Sequence, residues 1–219
     1  MENIEDKLIR KLEEHFTGDY SGHDLMHLIR VCNIAKHIQK IEGGDKEIII
    51  YSSLLHDVHR LIQRKTGNYC DPKDSLVEVR SLLSEFNLPE IMVEKICHSI
   101  QCHEEYAFSK KGITVSDIET LILQDADNLD AMGAVGIGRA FAYGGVHNLP
   151  FWLAEVPIHP VDDYSDSVDD ISNIHHFYNK LLKLKDHMNT ATAKKMAVDR
   201  HKFMENYLEQ FFDEWNGKK

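Results

Sequence analysis

The chain is predicted to be all-α, on three observations. Apolar residues recur at spacings of three and four along most of its length, and no run alternates as a half-buried strand would. Residues that cap or break helices stand at the ends of the apolar stripes.

The elements follow in order. Residues 4–16 place Ile4, Leu8, Leu12 and Phe16 four apart. From Asp24 to Ile41, the set Leu28, Val31, Ile34, Ala35 and Ile38 makes one stripe, which Gly43-Gly44 stops. Asp45 can cap the next helix, expected to reach Val58. It is apolar nearly all round and so should be central. Residues 59–73 hold Thr66-Gly67-Asn68 and Asp71-Pro72 and are read as a loop. Helices are expected over 73–86 and from Leu88-Pro89 to Cys102, the latter with Ile91, Ile96 and Ile100 on its inner face. Lys110-Lys111-Gly112 breaks the chain. Ser116 with Glu119 then reads as a capping box. The stretch 133–145 is rich in Gly and Ala, which lets helices approach closely. Residues 146–171, with three of the five prolines, are read as an irregular loop region. C-terminal helices follow within 172–219, near 172–187 and 191–215.

At 219 residues the chain is expected to be a single domain. Its 25 basic and 36 acidic residues give a net charge of −11, which disfavours long nucleic acids. A small anionic substrate remains compatible, given a metal ion and local cations. No apolar stretch approaches the roughly 20 residues of a membrane span, and residues 1–7 lack an apolar signal core. The four cysteines form no C-x-x-C pair and are read as reduced. A cytoplasmic protein is the expectation. The small-residue segment 131–145 could serve an internal contact or a homo-oligomer contact equally well.

The strongest signal is His56-Asp57 at the end of the apolar run 48–55. Asp is almost never buried without a partner, because a bare carboxylate in a dry interior costs several kcal/mol. A divalent ion would remove that cost. His27, near a helix start, and Asp127, in Asp125-Ala126-Asp127-Asn128-Leu129-Asp130, can complete a mixed N/O donor set. Such a set suits Mn²⁺ first, with Fe²⁺, Co²⁺, Ni²⁺ or Mg²⁺ as alternatives, and leaves positions open to water. An ion so held lowers the pKa of bound water and polarises a phosphoryl oxygen. Asp127 and Asp130 share a helix face, whereas Asp125 points away.

The segments Gly22-His23-Asp24-Leu25-Met26-His27, Leu54-Leu55-His56-Asp57 and Gln124-Asp125-Ala126-Asp127-Asn128-Leu129-Asp130 resemble those of the HD superfamily of metal-dependent phosphohydrolases, in its stand-alone bacterial predicted-hydrolase branch. The resemblance covers residues 20–215. It implies an HD-domain helical bundle, one metal on His27, His56, Asp57 and Asp127, and hydrolysis of a phosphorus ester or anhydride, most often in a nucleotide. The chain lacks the Gly-Tyr-Pro motif of the cyclic-dinucleotide branch. Arg60 stands where a nucleotidase-type acid would be expected, three positions after Asp57.

The catalytic candidates are Asp57, bridging metal and nucleophile, and His98 or His103, as phosphate donor or leaving-group acid. At i, i+5 these two histidines point about 140° apart, so they do not grip one atom. Arg60, Arg139, Lys180 and Lys183 are the substrate-phosphate candidates. His23 and Asp24 are placed as partners orienting His27, with capping the alternative for Asp24. The expected activity is nucleoside triphosphate or dNTP diphosphatase, releasing pyrophosphate through a metal-bound hydroxide. A phosphomonoesterase or a cyclic-nucleotide phosphodiesterase is the alternative. A non-catalytic nucleotide-binding module and a di-iron oxygenase stand behind both.

Overall fold

A computed structural model describes residues 4–104, 115–158 and 170–219. Amphipathic stripes dictate its architecture, which is helical with no strand among the described residues. Helix α1 spans Ile4–Phe16 and α2 spans Leu25–Glu42, the latter capped by Asp24, whose carboxylate accepts from the His27 backbone N–H. Helix α3 (Lys46–Leu55) starts on Asp45. It ends one residue before the His-Asp pair, and α4 (Val58–Thr66) starts one residue after it.

That break corrects two expectations. The third helix does not run through to Val58, and residues 59–66 are helical rather than loop. Gly67, in the left-handed region at φ 70, ends α4, so the Thr-Gly-Asn signal was a helix stop. Asp71 caps a 3₁₀ turn at Pro72–Ser75, leading into α5 (Leu76–Leu83) and then α6 (Glu90–Cys102). The inner stripe of α6 is Val93, Ile96, Cys97 and Ile100, with Ile91 turned outward. Helix α7 (Ile118–Asp130) is capped by Asp117, not Ser116. Glu119 reaches instead to the Asp45 backbone N–H.

Helix α8 spans Gly133–Val146, and α9 spans Asn173–Asn179. The expected helix over 172–187 breaks at Lys180 and continues as a 3₁₀ helix, Leu181–His187, before α10 (Ala191–Trp215). Residues 110–112 and the middle of 146–171 lie outside the described residues.

Two apolar cores share α2 and α3. Leu28 and Cys32 of α2 join α1 and α3–α6, whereas Val31, Ala35 and Ile38 join α7–α10. The metal-type residues lie along the seam between these cores. Within the second core, acidic side chains of α2 and α7 cap the start of α10. Glu42 accepts from Thr192 N at 2.7 Å, and Asp125 from Thr190 N at 2.7 Å. No disulfide joins the four cysteines, all of them buried, and no described helix is long and apolar enough to cross a membrane.

The α7–α8 turn is tight. A Cβ on Gly136 would sit 2.2 Å from the Ala131 carbonyl oxygen. Gly→Ala in a helix interior ordinarily gains about 1 kcal/mol. Here overpacking against backbone costs about 1–3 kcal/mol, so Gly136→Ala is expected to lower stability, read as a reduced midpoint in urea unfolding.

Candidate metal centre

His27 sits in the first turn of α2, so its ring projects from the helix start into the seam. Its Nδ1 lies 2.8 Å from Asp130 Oδ2. Asp130 is buried, takes Arg30 through Nε (2.8 Å) and Nη2 (3.0 Å), and has Arg139 Nη1 at 3.1 Å. Burial works against the Asp130 charge, but His27 and Arg30 hold the carboxyl well below its usual range. An ionised carboxylate only accepts, so His27 donates from Nδ1. His56 likewise donates from Nδ1 to the Ser53 carbonyl, 2.8 Å away, as the chain leaves α3.

Both rings therefore turn bare Nε2 lone pairs inward, and the two nitrogens stand 3.1 Å apart. His27 Nε2 is also 3.3 Å from Asp57 Oδ2 and 3.4 Å from Asp127 Oδ1, with His56 Nε2 at 3.7 and 3.8 Å from the same oxygens. Four electron-pair donors converge on one point in a site where both imidazoles are fully buried. Burial pushes His56 down to about 4 and so keeps it uncharged. Burial and Arg139 oppose charge on His27, yet Asp130 and Asp57 outweigh them and raise its pKa. In chemistry and spacing the set fits a divalent ion, since donors about 2.1 Å from an ion at right angles stand about 3 Å apart.

The helix break makes Asp57 available. With φ −92 and ψ 16 it leaves the helical path, and its Oδ2 comes near His27 and His56 while its Oδ1 comes near His59. His23 Nδ1 approaches Oδ2 at 2.8 Å. Burial lowers His23 to about 4 despite Asp57. Burial also works against the Asp57 charge, but His56 and His23 hold the carboxyl well below its usual range. Asp125 is turned away, as expected from its position, and caps residues 189–190.

The other predicted residues divide. Arg60 pairs with Glu104, and its Nε is 3.7 Å from Asp57 Oδ1. Arg139 donates to the Gly22 carbonyl at 2.9 Å, and Lys180 also lines the cleft. These three line one cleft, open in part to solvent, with Asp57, Asp127, Tyr143 and Asn173. Lys183 is not part of that lining. His98 is half exposed and contacts Asp117 at 3.1 Å, so its expected role at the centre is not supported. His103 is buried beside His56, ring centroids 5.1 Å apart. Its Nδ1 donates to the Ile100 carbonyl at 2.6 Å, which leaves Nε2 as the ring's remaining functional atom.

Two residues at the centre went unread: His59 and Glu104. Each had a signal. His59 is one turn after His56 in His-x-x-His, and Glu104 directly follows His103.

A model of the HD domain matches residues 25–132. Protein YpgQ of Bacillus subtilis is 35% identical over 199 residues, 89% of this chain and 85% of that protein. A crystal structure of an HD-superfamily hydrolase from Bacillus thuringiensis aligns with TM-score 0.71 and 35% identity, covering 97% of this chain and 96% of the other. The crystal structure of B. subtilis YpgQ in complex with ADP aligns with TM-score 0.72 and 30% identity, covering 96% and 97%.

An ion that binds only the folded state at a hundred times its Kd stabilises by about 2.7 kcal/mol. Adding Mn²⁺ to chelator-treated protein is therefore expected to raise the thermal midpoint, and Asp127→Ala to abolish most of the rise.

Proposed function

The chain belongs to the HD superfamily of metal-dependent phosphohydrolases, and we propose that it hydrolyses a nucleoside triphosphate or dNTP to the monophosphate and pyrophosphate. The carrying observation is the grouping of His27, His56 and Asp127, with Asp57 Oδ2 3.3 and 3.7 Å from the two imidazole nitrogens, beside a cleft that Asp57 and Asp127 line together with Arg60, Arg139 and Lys180. The ADP complex of YpgQ supports a nucleotide as the occupant.

A divalent ion, Mn²⁺ in the first instance, would activate a water and polarise the phosphoryl group. The protein's own residues do the rest. Asp130 fixes the His27 tautomer through Nδ1, and Ser53 does the same for His56, so both rings present Nε2 without reorganising. His23 steadies Asp57 Oδ2, and Asp57, held ionised, would ligate the ion and accept a hydrogen bond from the attacking water. The guanidinium groups and Lys180 meet charge on the polyphosphate, which an acidic chain must neutralise locally. Tyr143, Leu149 and Asn173 give the remaining wall an apolar and amide character suited to a nucleoside.

The test is a nucleotide panel with Mn²⁺, with pyrophosphate and phosphate assayed separately. Pyrophosphate release by the wild type and background rates in Asp57→Ala are expected. Inorganic phosphate alone would replace the reading with a phosphomonoesterase, and ring opening of a cyclic nucleotide with a phosphodiesterase. A charge-assisted contact is worth about 1.5–3 kcal/mol, so Lys180→Ala should raise KM by roughly tenfold or more. Lys183→Ala should leave KM nearly unchanged, which steady-state kinetics can check.

A further inference from the structure

We propose that Asn173 is a specificity-determining residue, whose buried amide donates a hydrogen bond to an acceptor on the nucleoside half of the substrate. The inference rests on a nucleotide being the occupant of the cleft, and not on which of its bonds is cut.

Asn173 is only 2% exposed, yet it lines the cleft. Its Nδ2 is buried and has no hydrogen-bond partner. Buried donors nearly always find partners, because an unmet one loses the hydrogen bonds that water would give it. The main chain at this point is fixed. The Asn173 N–H donates to the Pro150 carbonyl and the Ile174 N–H to the Phe151 carbonyl, each at 3.0 Å. The side chain is fixed as well. A Cβ on Gly144 would lie 2.0 Å from Asn173 Oδ1 and 2.6 Å from Nδ2, so the amide rests on bare backbone of α8. An amide held this way cannot swing out to water, and an acceptor reaches it through the cleft.

Its place along the cleft says which part of a substrate supplies that acceptor. Asn173 opens α9 and Lys180 follows its last residue, so about 10 Å of backbone separates the two positions. On α8, Arg139 and Tyr143 stand one turn apart and both line the cleft. Arg139 lies at the metal end, 3.1 Å from Asp130, whereas Tyr143 adjoins the glycine that carries the amide. Cations therefore stand toward the metal ligands, and an aromatic ring with an amide stands beyond them. The Tyr143 ring stacks on His147, with centroids 4.1 Å apart and planes 30° apart, which stiffens it as a flat wall. Ala140, in the same lining, is small enough to leave room beside that wall. A flat aromatic face next to a fixed donor suits a sugar and base rather than a linear polyphosphate.

A packing role and a binding role predict opposite responses to one substitution. Leucine has the branched shape of asparagine without its polar atoms, and exchanging an unpaired buried donor for an apolar group is neutral or stabilising to the fold. The experiment uses the full chain with Mn²⁺, titrated calorimetrically with ADP and with inorganic pyrophosphate, and the thermal midpoint of the ligand-free protein. Asn173→Leu is expected to weaken ADP about tenfold or more, to leave pyrophosphate within about twofold, and to hold or raise the midpoint. Asn173→Ala should weaken ADP in the same way, and it decides the matter if the leucine variant does not fold. GDP and CDP then locate the acceptor: an equal loss for all three nucleotides puts it on the sugar, and an unequal loss on the base. ADP affinity unchanged in both variants overturns the inference. So does a wild type that binds ADP no more tightly than pyrophosphate, or a parallel loss of both ligands. Selective loss of ADP in a protein that releases pyrophosphate from no triphosphate upholds the role of Asn173 and removes the diphosphatase reading. Pyrophosphate release with a KM untouched by either variant does the reverse.

Discussion

Two imidazole nitrogens 3.1 Å apart, each with its lone pair turned toward the other, form the constraint around which this molecule is arranged. Each ring has committed its single N–H elsewhere, to Asp130 or to Ser53, so the pair cannot settle its repulsion internally. Two carboxylates beside it sharpen the demand for positive charge. A protein can meet that demand with a proton on His27 or with a metal ion. Burial makes either choice consequential, because charges out of water interact strongly.

The surrounding helices hold that arrangement in place. Helix α2 is gripped on both sides by apolar cores, and this fixes the height and rotation of His27. The interruption between α3 and α4 turns His56 and Asp57 into the seam, which a continuous helix would not do for adjacent residues about 100° apart. Asp130 ties three arms together: the start of α2 through His27, the next turn through Arg30, and α8 through Arg139. Arg139 then returns to the loop before α2 at the Gly22 carbonyl.

The ligands were legible because their chemistry contradicts their surroundings. A His-Asp pair ending the run 48–55 and two acids one turn apart in α7 have no comfortable place in a core without a cation. Helix positions were legible for the same patterning reason. The α3–α4 break was not, since Leu55 and Val58 are as apolar as any interior turn and no Gly or Pro marks it. The spacing of His98 and His103 showed that they diverge, but both lie among apolar neighbours, so the facing ring is decided by packing against His56 and His59. His59 and Glu104 were not legible because each has a charged neighbour, Arg60 and Glu105, and so reads as solvated surface. At the start of α7, Ser116 and Asp117 are both good caps, and tertiary contact of Glu119 with Asp45 selected the second.

The caps that α2 and α7 provide for α10 have a consequence for the order in which the chain assembles. Glu42 and Asp125 accept from N–H groups at the start of α10, 150 and 65 residues further along. The first turn of α10 therefore finds its acceptors on surfaces synthesised well before it. During vectorial synthesis, N-terminal elements leave the ribosome first, so α10 meets a template already formed. Closing such long loops is entropically slow, and it links the last helix to the integrity of α2 and α7. The helix that completes the second core thus acts as a late latch, engaging only when the ligand-bearing helices beneath it stand in register.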